Sequence, residues 1–454
     1  MKQEQVNLRQ LVMEMLLAVT IQREDRPMEY SHVIIRDVLN KYNYLSGQEK
    51  AFMKRLFEGT LERMIELDYF LDQYSKVKVS KMKPVIRTIM RMSVYQILYM
   101  DAVPDSAACN EAAKLAGKKG FSTLKGFVNG VLRNIVRNKE QLPYPDREKD
   151  FEVYLSVIYS MPIWIVKLWI KQLGKEKTET LLKGLLAEHP VTIRLRNDVA
   201  TDIEKALQGQ GGMIEKQAYL PYAYRIAKTD DISQLPGYDE GAFVIQDVSS
   251  MLAIEALGIK PGMKILDICA APGGKSMLAA DKLAGTGEVE ARDISEYKVA
   301  LMQENFDRCG LQNVKAVCKD ATQPDESWVG QADMVIADVP CSGLGVIGKK
   351  RDIKYKMNPD AIRDIIVLQE QILEQAVSYV KPGGLLLFST CTINRDENEA
   401  HVKLLKDKYN MTPVSLDETL PEMLHSETTK QGYLQLLPGI HDTDGFFISI
   451  FKKG

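Results

Sequence analysis

KILDICAAPGGK, residues 264–275, is the stretch whose reading decides the fold. Ile265, Leu266 and Ile268 form a short apolar run of the kind buried on both faces of a sheet. Ala270, Ala271, Pro272, Gly273 and Gly274 then exclude bulky side chains where the backbone must turn, and after Lys275 the pattern SMLAADKLA is helical. Strand, small-residue turn and helix make the opening βα unit of a doubly wound sheet, where a ligand meets backbone amides at a helix N-terminus. The loop carries neither GxGxxG nor GxxxxGK[ST], which counts against a dinucleotide or triphosphate ligand. A purely structural tight turn is the alternative.

Downstream, the same logic repeats. GTGEVEARDI (285–294) predicts a second strand ending in Asp293, 26 positions past Asp267 and placed to bind ribose hydroxyls. Glu290 and Arg292 make that strand more polar than a central strand should be. VKAVCK (314–319) leads to Asp320, ADMVIA (332–337) to Asp338, and GLLLFS (384–389) to Thr390 and Cys391. Apolar strands with a polar residue at each carboxyl end assemble a site along one rim of such a sheet. Two of those ends carry cysteine, in DVPCSG (338–343) and STCT (389–392). Strands running parallel as neighbours would bring Cys341 and Cys391 together above the sheet; the plain alternative is two small buried hydrophobes. Glu397, Asn398 and Glu399 would open a helix with acids near its positive end.

Upstream, residues 7–139 read almost entirely as helix. Leu8, Leu11, Val12, Met15 and Leu16 recur at helical spacing, Ser46 and Glu49 form a capping box, and Pro84 opens a further helix. Residues 1–140 hold 23 Lys+Arg against 16 Asp+Glu, net +7, which leaves −9 for the rest of a 454-residue chain whose total is −2. A basic front joined to an acidic remainder suits a polyanion partner, or else is a solvated helical surface. QLPYPD (141–146) is the linker candidate. Beyond it a small α+β subdomain fits residues 150–240, with VTIRLRN (191–197) a half-buried strand carrying Arg194 and Arg196 on one face, RNA-facing or merely wet. Gly209, Gly211 and Gly212 end the helix that follows.

Three domains are therefore expected: 1–140, 150–240 and 241–454. The six cysteines show no CxxC pair and no metal spacing, and residues 11–21 read as an amphipathic helix, not a signal or membrane span. A reducing cytoplasm is the expected compartment.

Taken together, CAAPGGK, DVPCSG and STCTINRDENE resemble the RNA cytosine-carbon-5 methyltransferases that use S-adenosylmethionine. The front end, closing in GFVNGVLRNIVRN (126–138), is similar to the NusB-like helical RNA-binding fold. The likeness spans nearly the whole chain and is strongest from Phe243 to DGFF (444–447); Val339 stands where alanine is usual. The resemblance implies an all-α NusB-like bundle, the small α+β piece, and an α/β Rossmann-like class I methyltransferase domain. It implies methyl transfer to carbon 5 of a cytosine in 16S ribosomal RNA, free or in a small-subunit assembly intermediate. Cys391 would attack carbon 6, Cys341 would assist release of the adduct, and Asp338 would accept from the cytosine amine. Cys269, Ala270, Ala271, Pro272, Gly273, Gly274 and Lys275 would wrap the methionine and ribose of the cofactor. Asp293 would take the ribose hydroxyls, Asp320 the adenine amine, and Asp338 would close the methionine end. Lys125, Arg133 and Arg137 would meet phosphates. A monomer with no metal and no membrane is expected. A DNA cytosine methyltransferase, whose nucleophile sits in the PC motif, and a non-catalytic RNA-binding or ribosome assembly factor are the competing expectations.

Overall fold

The computed structural model describes residues 6–21, 30–188, 190–208, 212–227 and 232–454. The chain divides into two compact units, Met1–Leu186 with Ile347–Lys356, and Ala187–Val346 with Met357–Gly454.

The first unit is helical: α1 Leu8–Thr20, α2 Ser31–Lys41, α3 Gly47–Glu62, α4 Met64–Tyr74, α5 Pro84–Tyr99, α6 Asp105–Lys118, α7 Lys125–Asn138, α8 Phe151–Ile158, α9 Ile163–Leu173 and α10 Lys175–Leu185. Its boundaries follow side-chain chemistry. Asn7 caps α1 by accepting from Gln10 N at 2.9 Å, Ser46 and Glu49 close a capping box on α3, and α5 begins at Pro84. Val12, Met15 and Leu16 are buried in one cluster with Met53, Leu56, Ile86 and Ile89, whereas Lys125, Arg133 and Arg137 of α7 are exposed. Among the described residues no single helix is long and apolar enough to cross a membrane.

The stretch 141–146 lies inside this unit. Tyr144 Oη donates to buried Glu66 at 2.9 Å and its ring meets Phe70 edge-on at 5.2 Å. Helices α8 to α10 therefore belong to the first unit, while the strands that follow belong to the second. Gly209 and Gly211 lie outside the described residues.

The segment Ile347–Lys356, far away in sequence, completes the first unit. Asp352 accepts from Ser31 N at 3.2 Å and from its hydroxyl, and pairs with Lys356 at 2.8 Å. Arg351 pairs with Glu62 at 2.9 Å, and Tyr355 Oη donates to Leu61 O at 2.8 Å. Lys354, 2 % exposed, donates to the carbonyls of Glu62 and Ser160 at 2.7 and 2.6 Å. Burial drives its amine down to about 7, against the pull of Glu62. The unfolded chain thus holds more protons than the folded one between pH 7 and the ordinary lysine range, so stability rises with pH there. The slope of that contribution is up to about 1.4 kcal/mol per pH unit, and it is flat below pH 7. Lys354→Met is expected to remove it. Denaturation midpoints of the two proteins from pH 6 to pH 10 check this; parallel curves would refute it.

The second unit opens with a four-stranded antiparallel sheet, ordered β2-β3-β1-β4, from β1 Val191–Leu195, β2 Met213–Lys216, β3 Ala223–Ala227 and β4 Phe243–Ile245, with α11 Ala200–Gln208. Arg194 and Arg196 do not face outward. Arg194 is 2 % exposed and bonds Asp281 at 2.6 Å and Gln246 at 3.0 Å. Arg196 meets the same Asp281 at 2.8 Å and the carbonyls of Gly241 and Cys309 at 2.9 and 2.7 Å. The expectation that these arginines face RNA is corrected: Arg194 is buried, and both guanidiniums are drawn inward onto Asp281.

Next come α12 Val248–Glu255, capped by Asp247, then β5 Lys264–Asp267, α13 Gly274–Lys282, β6 Glu288–Asp293, α14 Glu296–Arg308, β7 Val314–Cys318 and β8 Ala332–Asp338. Within Ile347–Lys356 lies α15 Ile353–Lys356; afterwards follow α16 Pro359–Tyr379, β9 Val380–Thr390, α17 Glu399–Asp407, β10 Thr412–Pro413, α18 Glu427–Lys430, β11 Tyr433–Leu436 and β12 Phe446–Lys452. The sheet runs β10-β12-β9-β8-β5-β6-β7, with β11 on β12. Strands β9, β8, β5, β6 and β7 are parallel, and β12 is antiparallel to β9. The chain moves outward from β5 to β6 and β7, then returns to β8 and β9 on the other side, so β5 is the switch point at which a doubly wound sheet opens a crevice.

The polarity of β6 has a structural cause. Arg292, 3 % exposed, bonds Glu290 at 2.7 Å and Asp325 at 2.6 Å, and its guanidinium lies 5.6 Å from the Trp328 ring centroid. Lys315 and Lys319 complete the network at 2.9 and 2.5 Å. Every buried charge in the strand is paired, which is the condition for burying one.

Candidate active site

The strand order sets the order of chemistry along the carboxyl rim: Cys391 after β9, Asp338 and Cys341 at β8, residues 269–275 after β5, Asp293 at β6 and Asp320 after β7. A ligand laid across the switch point meets them in that sequence.

At β5 the chain turns through a cis Ala271–Pro272 bond to Gly273, whose φ of 98° is left-handed. A Cβ there would sit 3.0 Å from Phe306 and 3.3 Å from Met302, so the turn needs glycine on both counts. Helix α13 then begins at Gly274, with no side chain capping its first amides. Ser276 donates to Asp267 at 2.6 Å, and burial pushes Asp267 up to about 7. Burial also pushes up the thiol of Cys269.

Lys275 points back to β8. Its ammonium bonds Asp338 Oδ2 at 2.5 Å, and Ser389 Oγ donates to Asp338 Oδ1 at 2.9 Å. Burial alone would depress Lys275, but Asp338, then Asp267 and the Cys391 sulfur, outweigh it and raise the amine, which therefore stays charged. The Lys275 cation lies within electrostatic reach of the Cys391 sulfur, a partner not visible in the linear sequence. Each oxygen of Asp338 keeps a lone pair for a further donor.

Cys341 Sγ and Cys391 Sγ are 3.3 Å apart, each partly exposed. The neighbouring sulfur, burial and the charge of Glu397 together push the Cys341 thiol well up, so Cys341 is held as S–H. The turns that carry the two sulfurs are packed backbone to backbone. Gly345 N donates to Cys391 O at 3.0 Å, and Gly445 N donates to Gly345 O at 2.9 Å. A Cβ on Gly345 would fall 2.0 Å from Gly445 O and 2.8 Å from Cys391 O. Gly345→Ala must therefore part the turns. It is expected to cost about 1–3 kcal/mol of stability and roughly 100-fold in turnover through misplaced sulfurs; an unfolding midpoint and a turnover rate test both.

Asp293 accepts from Ser295 N at 3.0 Å and lies 3.5 Å from Lys298 Nζ, while Asp320 Oδ1 closes a turn by accepting from Thr322 N at 2.9 Å and its hydroxyl at 2.7 Å. Ile294, 67 % exposed, lies beside Asp293 and offers a bare apolar side chain at that rim. Its signal in sequence was only its place after the strand.

The helix expected after Cys391 is present: α17 begins at Glu399, an acid in its first turn, with Asn398 at the N-cap, while Glu397 precedes it and is fully buried. Asn398 accepts from Thr390 Oγ1 at 2.6 Å and donates to Thr392 O at 3.2 Å and Gln435 at 2.8 Å, bracing the residues on both sides of Cys391.

By donor chemistry, the rim fits a nucleoside joined to an amino acid: carboxylates at β6 and β7 for hydroxyl and amine donors, and the Lys275–Asp338 ammonium–carboxylate pair between β5 and β8. Among the described residues no cluster of three His, Cys, Asp or Glu side chains could hold a metal ion.

A family model described as 16S rRNA methyltransferase RsmB/F matches residues 254–452, and one described as the NusB family matches residues 6–137. A probable ribosomal RNA small subunit methyltransferase B from Bacillus subtilis (strain 168) is 35% identical, over 99% of this chain and 100% of its own length. Its counterpart from Synechocystis sp. is 34% identical over 96% and 98%. A solved methyltransferase homolog protein from Pyrococcus horikoshii superposes with a TM-score of 0.57 at 25% identity, over 67% of this chain and 100% of the other.

Proposed function

The chain belongs to the 16S rRNA methyltransferase RsmB/F family, and from that premise we propose that it methylates carbon 5 of one cytosine in 16S ribosomal RNA through a covalent bond from Cys391 to carbon 6. Methyl transfer to ribosomal RNA is what the family does; the atom, the base and the adduct are the finer reading. What carries that reading is the separation of 3.3 Å between Cys341 Sγ and Cys391 Sγ, beside the Lys275–Asp338 pair.

Carbon 5 of cytosine is a poor nucleophile. Addition of the Cys391 sulfur to carbon 6 makes carbon 5 enamine-like and able to accept a methyl group. The proton on carbon 5 then passes to water, its electron pair restores the ring double bond, and the carbon–sulfur bond breaks with its pair returning to Cys391 Sγ, so aromaticity returns. S-adenosylmethionine, when bound, supplies the methyl group on a positively charged sulfur. Residues 269–275 would hold its methionine and ribose, Asp293 the ribose hydroxyls and Asp320 the adenine amine. Asp338 would accept from the cytosine amine with its remaining lone pairs, which selects against a uracil oxygen. A base that reaches this crevice must leave its stack, so an unpaired or loop cytosine suits it. Exposed Lys125, Arg133 and Arg137 on α7 are the expected phosphate contacts, on naked RNA or an assembling small subunit. We place the protein in the cytoplasm as a monomer.

Bisulfite sequencing of 16S ribosomal RNA from cells with and without this protein tests the reading: one cytosine should lose its protection. Labelled methyl transfer should favour RNA over duplex DNA. Duplex DNA as the better acceptor, or an unchanged bisulfite map, would overturn it.

A further inference from the structure

We propose that Glu397 is a positioning residue which, through the turns it clamps and the charge it carries, keeps the shared proton on Cys341 Sγ and leaves Cys391 Sγ as the sulfur that bears negative charge. The inference rests on the cysteine-adduct reading, which needs two adjacent thiols in unequal states but does not say what makes them unequal.

Glu397 is wholly buried, and its oxygens accept from Ser342 N at 2.8 Å, Ser342 Oγ at 2.6 Å, Asn394 Nδ2 at 3.1 Å, Gln369 Nε2 at 3.3 Å and Thr392 Oγ1 at 3.5 Å. Such a set of donors suits an acceptor-only carboxylate. Ser342 directly follows Cys341 and Thr392 directly follows Cys391, and the two hydroxyls are themselves 2.6 Å apart. One side chain therefore fixes the register of both sulfur-bearing turns.

Each of these donors is neutral, so none cancels the charge. It is held more closely by the Cys341 turn, through Ser342, than by the Cys391 turn, through Thr392. A like charge disfavours a second anion beside it, and Glu397 accordingly pushes Cys341 up. On the other side, Lys275 and the Cys391 sulfur interact favourably. The Gly343 amide opposes this by donating to the Cys341 sulfur, but the neighbouring sulfur, burial and Glu397 outweigh it. Of the other faces, Asp338 is paired with Lys275, Gln369 of α16 is neutral, and His401 of α17 is held by burial at about 4, hence uncharged at neutral pH. Arg395 and Glu399 face one another at 3.5 Å. When the pair of thiols loses one proton, the S–H left on Cys341 can donate across the 3.3 Å gap to the Cys391 sulfur.

The test labels the full-length protein with iodoacetamide from pH 6 to pH 10 and resolves the two cysteines by peptide mass spectrometry. In the unaltered chain Cys391 should label at lower pH than Cys341. In Glu397→Gln, which keeps the shape and removes the charge, the Cys341 midpoint should fall by about one pH unit, roughly a tenfold gain in thiolate at fixed pH. S-adenosylmethionine affinity should stay within about twofold, which a collapse of the site would not allow. Ser342→Ala, which removes the hydroxyl donor but keeps the backbone N–H and the charge, should preserve the separation of midpoints. Cys341 labelling first in the unaltered chain overturns the proposal without any variant, as does an unmoved Cys341 midpoint in Glu397→Gln or a lost separation in Ser342→Ala. Labelling needs no RNA, so methylation by a Cys391→Ala protein would sink the adduct reading while leaving the thiol order a separate result.

Discussion

Replacing Cys391 with alanine is expected to lower methyl transfer to ribosomal RNA by roughly four orders of magnitude, the scale on which removal of a covalent nucleophile acts. Cofactor affinity should stay within a few-fold, because residues 269–275, Asp293 and Asp320 occupy the other strand ends. The reason lies in the substrate: without a sulfur on carbon 6, carbon 5 has no enamine character, and no other group in the crevice supplies it. Cys341, 3.3 Å away, is a poor substitute because it is held as a thiol. Single-turnover transfer to small-subunit RNA, beside calorimetric binding of S-adenosylmethionine, separates the two effects. Substantial methylation by the variant would mean that the sulfurs have been given the wrong roles.

Replacing Cys341 with alanine should do something different, namely trap the protein on its RNA. Breaking the carbon–sulfur bond returns the electron pair to Cys391 Sγ, and a departing thiolate leaves more readily when a hydrogen-bond donor faces it. In the proposed reading Cys341 is that donor. With it gone, attack should still occur while release slows, and a denaturant-resistant protein–RNA band should accumulate. Denaturing electrophoresis with labelled RNA reads this directly. The double variant lacking both sulfurs should show no such band; a band that persists there would place the covalent bond elsewhere.

Much of the sheet was legible because its signals are local. Ile265, Leu266 and Ile268, or the run before Asp338, mark buried strands within a few residues, and glycine at 273 announces a turn that only glycine accepts. What escaped was settled by partners distant in sequence. Arg194 and Arg196 alternate like a wet strand, yet Asp281, 87 positions past Arg194, draws them inward. Arg292 looked misplaced until Asp325 stood beside it. Glu397 had the spacing of a helix-opening acid, and its burial against Ser342, 55 positions earlier, is a tertiary fact that no periodicity encodes. The convergence of Cys341 and Cys391 was foreseeable only because both sit at ends of apolar strands, and parallel neighbours bring such ends together.

Because Ile347–Lys356 is part of the helical unit although its codons lie within the catalytic one, the enzyme is not severable at a single seam. A fragment starting at residue 187 would present Asp352 and Lys354 stripped of Ser31, Glu62 and Ser160, as a bare polar loop immediately downstream of the Cys341 turn. Grafting this catalytic half onto a foreign front end would demand that the loop be redesigned as well.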